Sequence, residues 1–513
     1  MKGTVRTFSF VLTLVAAVAV TAGGALYLDE PALYAGPDQL AEPAPPSATA
    51  GPLSLRPQDS RYFTDASGRP VYLTGSHTWN NLQDIGRTDP PAPFDFDEYL
   101  RFMRQHRHNF IRLWRWETSQ LTVREWNTVL FIATHPWERN GGKPALDGKP
   151  QFDLSQFNQA YFDRMRARVQ AAGANGIYVS VMLFEGWAQQ FAPDGYQAHP
   201  FNGRNNVNGI DCDTNRDNKG LECFTLENPA VTQVQEAYVR QVIDTVNDLD
   251  NVLFEVSNEN HSGSHDWELH FLRYVRDYER GKPKQHPVGL GSNGGGTRDD
   301  TGRLLASGAD WISPNGLGRP YQTDPPAATG SSVIIIDTDH LWGLGGDRSW
   351  VWKSFLRGLN PIFMDPYKEQ MLVLKTDEER QQWESVRRAM GHTAWFASRL
   401  DLDRATPRPE LASSGYVLAD PGVEYLVYLP LDPHPSESAT FLQRFQRPIR
   451  NFRANFAQEV GVDLSGRAGS YLVEWFNPSS GETFTAEPVV GGGMLSFVAP
   501  FVGDAVLYLK LRP

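Results

Sequence analysis

Between residues 71 and 365, eight short runs of β-forming residues alternate with stretches whose apolar residues recur at helical spacing. The runs are VYLTGS (71–76), NFIRLW (109–114), GIYVSVMLF (176–184), NVLFEVS (251–257), HPVGLG (286–291), ADWISP (309–314), SSVIIID (331–337) and NPIFMD (360–365). Between them lie patterns such as FDEYLRFMRQHRH (96–108) and YFDRMRARVQAAG (161–173). Eight strands in this rhythm predict an α/β fold, a (β/α)8 TIM barrel. Functional side chains in such a barrel sit at the C-terminal strand ends, which is where this chain places its polar clusters.

Four segments follow from the texture of the chain. Residues 1–28 carry Lys2 and Arg6 ahead of an apolar run, the layout of an export signal. If it is retained, the segment would instead tether the protein to a membrane. Residues 29–54, rich in Pro, Ala, Gly and Ser, read as a linker. Residues 55–403 form the barrel, entered through two short strands around the turn Ala66-Ser67-Gly68. After that, YVLAD, EYLVYLP, YLVEWFNP, ETFTAEP, MLSFVAP and AVLYLKL are short strands between Gly, Pro and Ser turns, so 404–513 reads as a small all-β sandwich packed on the barrel. The chain is expected to be secreted, periplasmic or held at the cell surface.

A net charge of −12 excludes a nucleic-acid partner, since phosphate binding needs a basic surface. Aromatic residues make up 12% of the chain, and flat rings suit stacking on the C–H faces of a carbohydrate partner. Cys212 and Cys223 lie in one polar segment with no further ligands or a positioned base nearby, and in an exported chain they read as a loop disulfide. No residue pattern implies an oligomeric state, and no metal or other cofactor is called for.

Two runs end in carboxylates. In NVLFEVSNEN, alternation places Glu255 and Ser257 on one face and delivers Asn258 and Glu259 to the strand's mouth. In VIIIDTDHLWG, the two-residue period puts Val333, Ile335, Asp337 and Asp339 on one face. A carboxylate pair facing across a barrel mouth is the equipment for cleaving a glycosidic bond. Glu259 is the candidate acid. Asp337 or Asp339 is its counterpart, Asp337 preferred because it ends the apolar run directly. The other mouth candidates are His77, Trp79 and Asn80 after the first run, Arg112 and Trp114 at the end of the second, and Glu185 and Trp187 after the third. His340 and Trp342 follow the seventh run, Asn315 the sixth, and Asp365 and Tyr367 the eighth. Arg112 would pair with a carboxylate and keep it ionised, with Asp365 as that partner or as a third acid. The Asn-rich stretch HPFNGRNNVNG (199–209) is suited to hydrogen-bonding a polyol.

These motifs resemble clan A of the glycoside hydrolases, in the Asn-Glu after strand four and the acid after strand seven. RYFTDASGRPVYLTGSHTWNNLQD and the barrel behind it resemble the apiosidase-like, cellulase-related barrels, and YLVEWFNPSSGETFTAEPVVGGGMLSFVAP is similar to the collagen-binding module described for a collagenase. The clan resemblance implies Glu259 as acid/base and a nucleophile after strand seven, where this chain has Asp in place of Glu. The shorter side chain would widen the pair beyond the ~5–5.5 Å of a retaining enzyme. Two other readings compete with a hydrolase of this kind. One is an inactive barrel that binds glycan or matrix, and the other is a metal-dependent hydrolase built on Asp337, Asp339, His340 and Asp365.

Overall fold

The computed structural model describes residues 33–34, 49–56, 59–123, 128–293, 300–315, 320–369, 376–431 and 457–512. The expected leader, 1–28, lies outside the described residues.

Eight parallel strands form one sheet that curls into a barrel. They are β1 (Gly75–His77), β2 (Phe110–Leu113), β3 (Tyr178–Glu185), β4 (Val252–Asn258), β5 (Val288–Gly291), β6 (Trp311–Ser313), β7 (Val333–Asp337) and β8 (Asn360–Met364). The ladder runs β1-β8-β7-β6-β5-β4-β3-β2, each pair parallel. Helices α1 (Phe96–Gln105), α2 (Gln159–Ala174), α3 (Pro229–Val246), α4 (His265–Glu279), α5 (Thr301–Ala306) and α6 (Arg348–Leu356) lie between successive strands, and α7 (Asp377–Ala397) follows β8 and leads into the tail. All eight expected runs contribute a strand.

The seam between β1 and β2 explains why the first strand is shorter than VYLTGS suggested. Amide side chains, half-buried Asn109 and buried Asn360, take over main-chain groups of residues 72–74. Asn109 accepts from the Thr74 N–H (2.9 Å) and donates to the Tyr72 carbonyl (2.8 Å), and Asn360 accepts from the Leu73 N–H (3.0 Å). Farther up, Asn81 donates to the Arg112 carbonyl and accepts from the Trp114 N–H, both at 2.7 Å. Gly75 lets the strands close: a Cβ there would lie 2.2 Å from the Phe110 carbonyl oxygen. Buried main-chain groups must be paired, and these side chains do the pairing that a regular ladder would otherwise supply.

Between β2 and α2 the chain makes an excursion that the sequence patterns did not announce. Gln120–Val123 and Thr128–Ala133 pair antiparallel, with Asp84–Gly86 on the far edge, and Trp137–Pro144 pairs with Pro150–Phe157. The apolar side of the three-stranded unit (Leu121, Val123, Leu130, Ile132) packs on Trp114, Trp116, Met182 and Met364, with Trp79, Trp187 and Leu344 at its margin.

The tail is an antiparallel sheet that includes Val417–Asp420, Glu424–Leu429, Ser470–Phe476, Thr483–Val490 and Ala505–Leu511. One face is covered by the pair Ala457–Asp463 and Met494–Val502. Ala457–Asp463 had not been foreseen as a strand. Strand periodicity sorts the two faces. Tyr425, Val427, Leu507 and Leu509 enter the sandwich core, while Leu426, Tyr428, Val506 and Tyr508 turn to the barrel and meet Trp352 and Phe396. Arg348–Asp504 and Arg399–Glu474 ion pairs border this contact. Within the segment read as linker, Leu33–Tyr34 pairs with Thr483–Phe484 at the sheet edge, and residues 50–54 run along the entry hairpin.

Candidate active site

The centre of the mouth is a buried guanidinium. Arg112, third residue of β2, points into the barrel and spends its donors on four side chains. Its Nε and Nη2 bind Glu255 at 2.9 and 2.6 Å, Nη2 also reaches Asn258 Oδ1 at 2.7 Å, and Nη1 binds Asp337 at 2.8 Å and Asp339 at 3.3 Å. Glu255 is thus the bidentate partner of Arg112, a role not assigned from sequence. The signal was present: a carboxylate on the inward face of an otherwise apolar strand needs a partner.

Asp337, the last residue of β7, is fully buried and has no spare oxygen. His77 Nε2 lies 2.9–3.0 Å from its two oxygens, Arg112 holds Oδ2, and the Asp339 N–H donates to Oδ1 at 2.9 Å, capping the short helix Thr338–Leu341. Burial pushes its carboxyl up, but the His77 and Arg112 charges outweigh burial and hold it well below the usual carboxylate range. Asp339 differs. Its side chain keeps 10% exposure and takes only the longer of the two contacts made by Arg112 Nη1. Burial and the neighbouring Asp337 charge raise it to about 6. Three carboxylates surround one guanidinium, and Asp339 is the one least compensated.

Glu259 follows β4 with a left-handed backbone, φ 43°. No described residue hydrogen-bonds its carboxyl, which burial raises well above the ordinary value, with Asp339 the next largest contribution and Glu185 after it. The carboxyls of Glu259, Asp339 and Asp337 therefore share one mouth. Glu185, at the end of β3, is raised to about 8 by burial, and its carboxylate accepts the Trp187 N–H at 2.6 Å. Behind it, Glu117 accepts the Glu185 N–H and pairs with His199 (3.1 Å), beside the Cys212–Cys223 disulfide. Neither Glu117 nor His199 was singled out from sequence.

His340 bridges three strands: Nε2 lies 3.1 Å from Asn258 Oδ1 and Nδ1 2.8 Å from Ser313 Oγ. Burial, aided by the Arg112 charge, lowers it to about 3, so it is neutral at the mouth. Trp114 lies under the site, its ring stacked on His77 (5.8 Å, 7°) and 5.1 Å from the Arg112 guanidinium carbon. Trp79 and Trp187 are half-buried above it, and Trp342 is 40% exposed, edge-on to Trp350. Asn315 is buried just beyond β6.

Several expectations need correcting. Asp365 does not serve Arg112; it is held bidentately by Arg387 of α7, at 2.8 and 2.5 Å. Tyr367 packs among Phe94, Tyr99 and Phe102 of the α1 region, not over the mouth. Asn80 is buried with its Oδ1 3.3 Å from Thr78 Oγ1, and its neighbour Asn81 does the strand-joining instead. In the Asn-rich stretch, Asn205 and Asn206 are buried and donate to the loop's own carbonyls, so they fold the loop instead of facing a polyol. Asp337, Asp339, His340 and Asp365 do not converge as a ligand set, because Asp365 belongs to Arg387 and Asp337 to Arg112 and His77. Among the described residues the one group with metal-ligand spacing is His199, Cys212 and Cys223, whose two thiols form the disulfide.

The sequence profile of a family described as "Domain of unknown function (DUF6298)" matches residues 125–301, a span that contains Glu259 but neither Arg112 nor Asp337. No curated protein matches the sequence. Among solved structures, the chain is similar to a glycoside hydrolase family 5 protein from Bacteroides vulgatus, with TM-score 0.56, 12% identity, and 90% of this chain and 95% of that one covered. It is similar to a second structure described as a glycoside hydrolase, with TM-score 0.56, 11% identity, and coverage of 90% and 97%. The shared barrel and tail place this chain in the fold of those glycoside hydrolases.

Proposed function

We propose that this chain is an exported glycoside hydrolase, with Glu259 as the general acid and Asp339 as the second catalytic carboxylate. The main support is the contrast between the acids at one mouth: Glu259 is held protonated well above the ordinary range, while Asp339, raised only to about 6, is ionised at neutral pH. Environments that push neighbouring carboxyls apart in this way assign an acid and a base. Glu259 gives its proton to the glycosidic oxygen as the C–O bond breaks. Asp339 attacks the anomeric carbon, or takes the proton of a water that attacks it. Asp337, favoured from the sequence, becomes the group that orders Arg112 and His77, since both of its oxygens are occupied. Arg112 and Asn258 orient the charges, and Trp79, Trp187 and Trp342 offer stacking walls for side chains of plant or microbial polysaccharides.

Residues 1–28 act as the export signal, 29–54 as the lead into the barrel (55–403), and 404–513 as an accessory module. The disulfide supports an oxidising compartment. No helix among the described residues is long and apolar enough to cross a membrane.

The test is hydrolysis by the leaderless protein of a panel of aryl glycosides and plant polysaccharides, beside Glu259→Gln and Asp339→Asn. Sugar release by the parent and its loss in both variants is expected. Glycan binding without release by the parent would favour the inactive binding barrel.

A further inference from the structure

Glu259 carries a backbone conformation that residues with a side chain rarely adopt, φ 43°. Such a residue persists only where its surroundings over-determine it, and it is commonly found where a side chain must be aimed. The surroundings here come from one neighbouring segment, the turn from β3 into the short helix Trp187–Phe191. The Gly186 N–H donates to the Asn258 carbonyl at 2.9 Å, on the residue before Glu259. The Gln190 side chain donates to the Glu259 carbonyl itself at 2.6 Å, and to the Gly186 carbonyl at 3.1 Å. On the far side, Asn260 is fully buried and donates to Ser257 Oγ at 2.7 Å. Its Oδ1 presses on Gly186 so closely that a Cβ there would lie 2.0 Å away. Asn258, Glu259 and Asn260 are therefore each held by a separate contact.

We infer that Gln190 is a positioning residue for the proposed acid. By fixing the Glu259 carbonyl, it locks the peptide plane that follows Glu259 and so directs the carboxyl across the mouth toward Asp339. Gln190 does not reach the substrate in this role; it acts through the main chain of Glu259. The helix that carries it is capped by Glu185, whose carboxylate accepts the Trp187 N–H at 2.6 Å, so the clamp is fixed from its own N-terminus. Asn258 needs no such help, because its amide oxygen is already held by Arg112 and His340.

This inference rests on Glu259 being the acid, and leaving-group dependence separates the two claims. An acid that protonates the departing oxygen matters for a poor leaving group and little for an activated one. The experiment measures kcat/KM for phenyl and 2,4-dinitrophenyl glycosides of the sugar the parent accepts, with parent, Glu259→Gln and Gln190→Met, together with each variant's Tm. Met keeps the length of Gln and removes the donor. We expect Gln190→Met to lose roughly 10- to 100-fold on the phenyl substrate and less than about 3-fold on the dinitrophenyl substrate, with Gln190→Glu no better. The alkaline limb of its pH profile should also move. Equal losses on both substrates, or none on either, would overturn the positioning role while leaving Glu259 in place. If Glu259→Gln itself shows no leaving-group dependence, or the parent cleaves no glycoside, the acid assignment fails and the inference falls with it. Gly186→Ala supplies a second probe, since its Cβ would displace Asn260; a loss confined to the phenyl substrate would support the clamp and a loss on both would count against it.

Discussion

Asp337 accepts the main-chain N–H of Asp339 in its own carboxylate at 2.9 Å, so the first acid of the DTD motif builds the turn that presents the second. The two acids, one residue apart on either side of Thr338, are thereby given opposite tasks. Asp337 is sealed between His77 and Arg112, and Asp339 faces Glu259.

Asparagine at each position should separate these tasks. Asp339→Asn is expected to lower kcat/KM by about 100-fold or more with Tm changed by only a few degrees. Asp337→Asn leaves Arg112 and His77 short of a buried partner, and is expected to cost about 3–5 kcal/mol of stability. Thermal melts and hydrolysis rates of the two variants check both statements.

The pH profile follows from the same pair. In its proposed role Asp339, raised to about 6, would have to lose its proton, so kcat/KM is expected to rise with pH through about 6. As the proposed acid, Glu259, raised well above its ordinary value, would have to keep its proton, so the rate is expected to fall on the alkaline side when that proton leaves. An acidic limb in the ordinary carboxylate range, about pH 4, would take Asp339 out of the role.

Glu185 links protonation to stability. Its folded value is raised to about 8, above the ordinary 4.5, so the protonated form is the one the fold prefers. The associated stability is fully present below the unfolded value and is lost as pH rises through the folded one. Glu185→Gln, which stays neutral and can still accept the Trp187 N–H, is expected to be more stable than the parent above pH 8, by about 1 kcal/mol or more. The advantage should vanish toward pH 4. Melts across that range give the sign.

Trp342 offers a test of the stacking wall. It is 40% exposed and touches Trp350 only edge-on, so Trp342→Ala should leave Tm nearly unchanged. Loss of one aromatic platform, about 1 kcal/mol, is expected to raise KM several-fold with kcat retained. Unchanged KM would place the ring outside the substrate path.

The barrel was legible because its strands are apolar toward both the barrel interior and the helices, so runs such as VIIID (333–337) and YVSVMLF (178–184) stand out. The excursion was not, because Gln120–Val123 and Trp137–Pro144 mix polar residues and glycine and bury only one side. Ala457–Asp463 escaped for the same reason: Val460 and Val462 are its only deeply buried side chains. The acids at the strand ends were visible, yet their division of labour was not. It depends on which carboxylate meets the two N–H groups of Arg112 Nη1 at the better distance, and residue spacing does not encode that. Asp365 looked like a site acid because it ends a strand, but its partner Arg387 lies 22 positions later on α7. The amides of Asn81, Asn109 and Asn360 are ordinary in sequence and acquire meaning only where strands meet.

The contact between Trp352 and Phe396 on the barrel and Tyr428 and Phe476 on the tail has an evolutionary consequence. These rings sit on α6 and α7, the helices that flank β8 and follow the loop bearing Asp339. A lineage that shed the tail would expose them to water all at once, and would have to replace several large apolar residues on two helices to stay soluble. The tail thus covers a face of the barrel that would otherwise be apolar and exposed. In relatives of this chain, aromatic residues at the positions of Trp352 and Phe396 should be inherited with the tail, and polar residues there should accompany its loss.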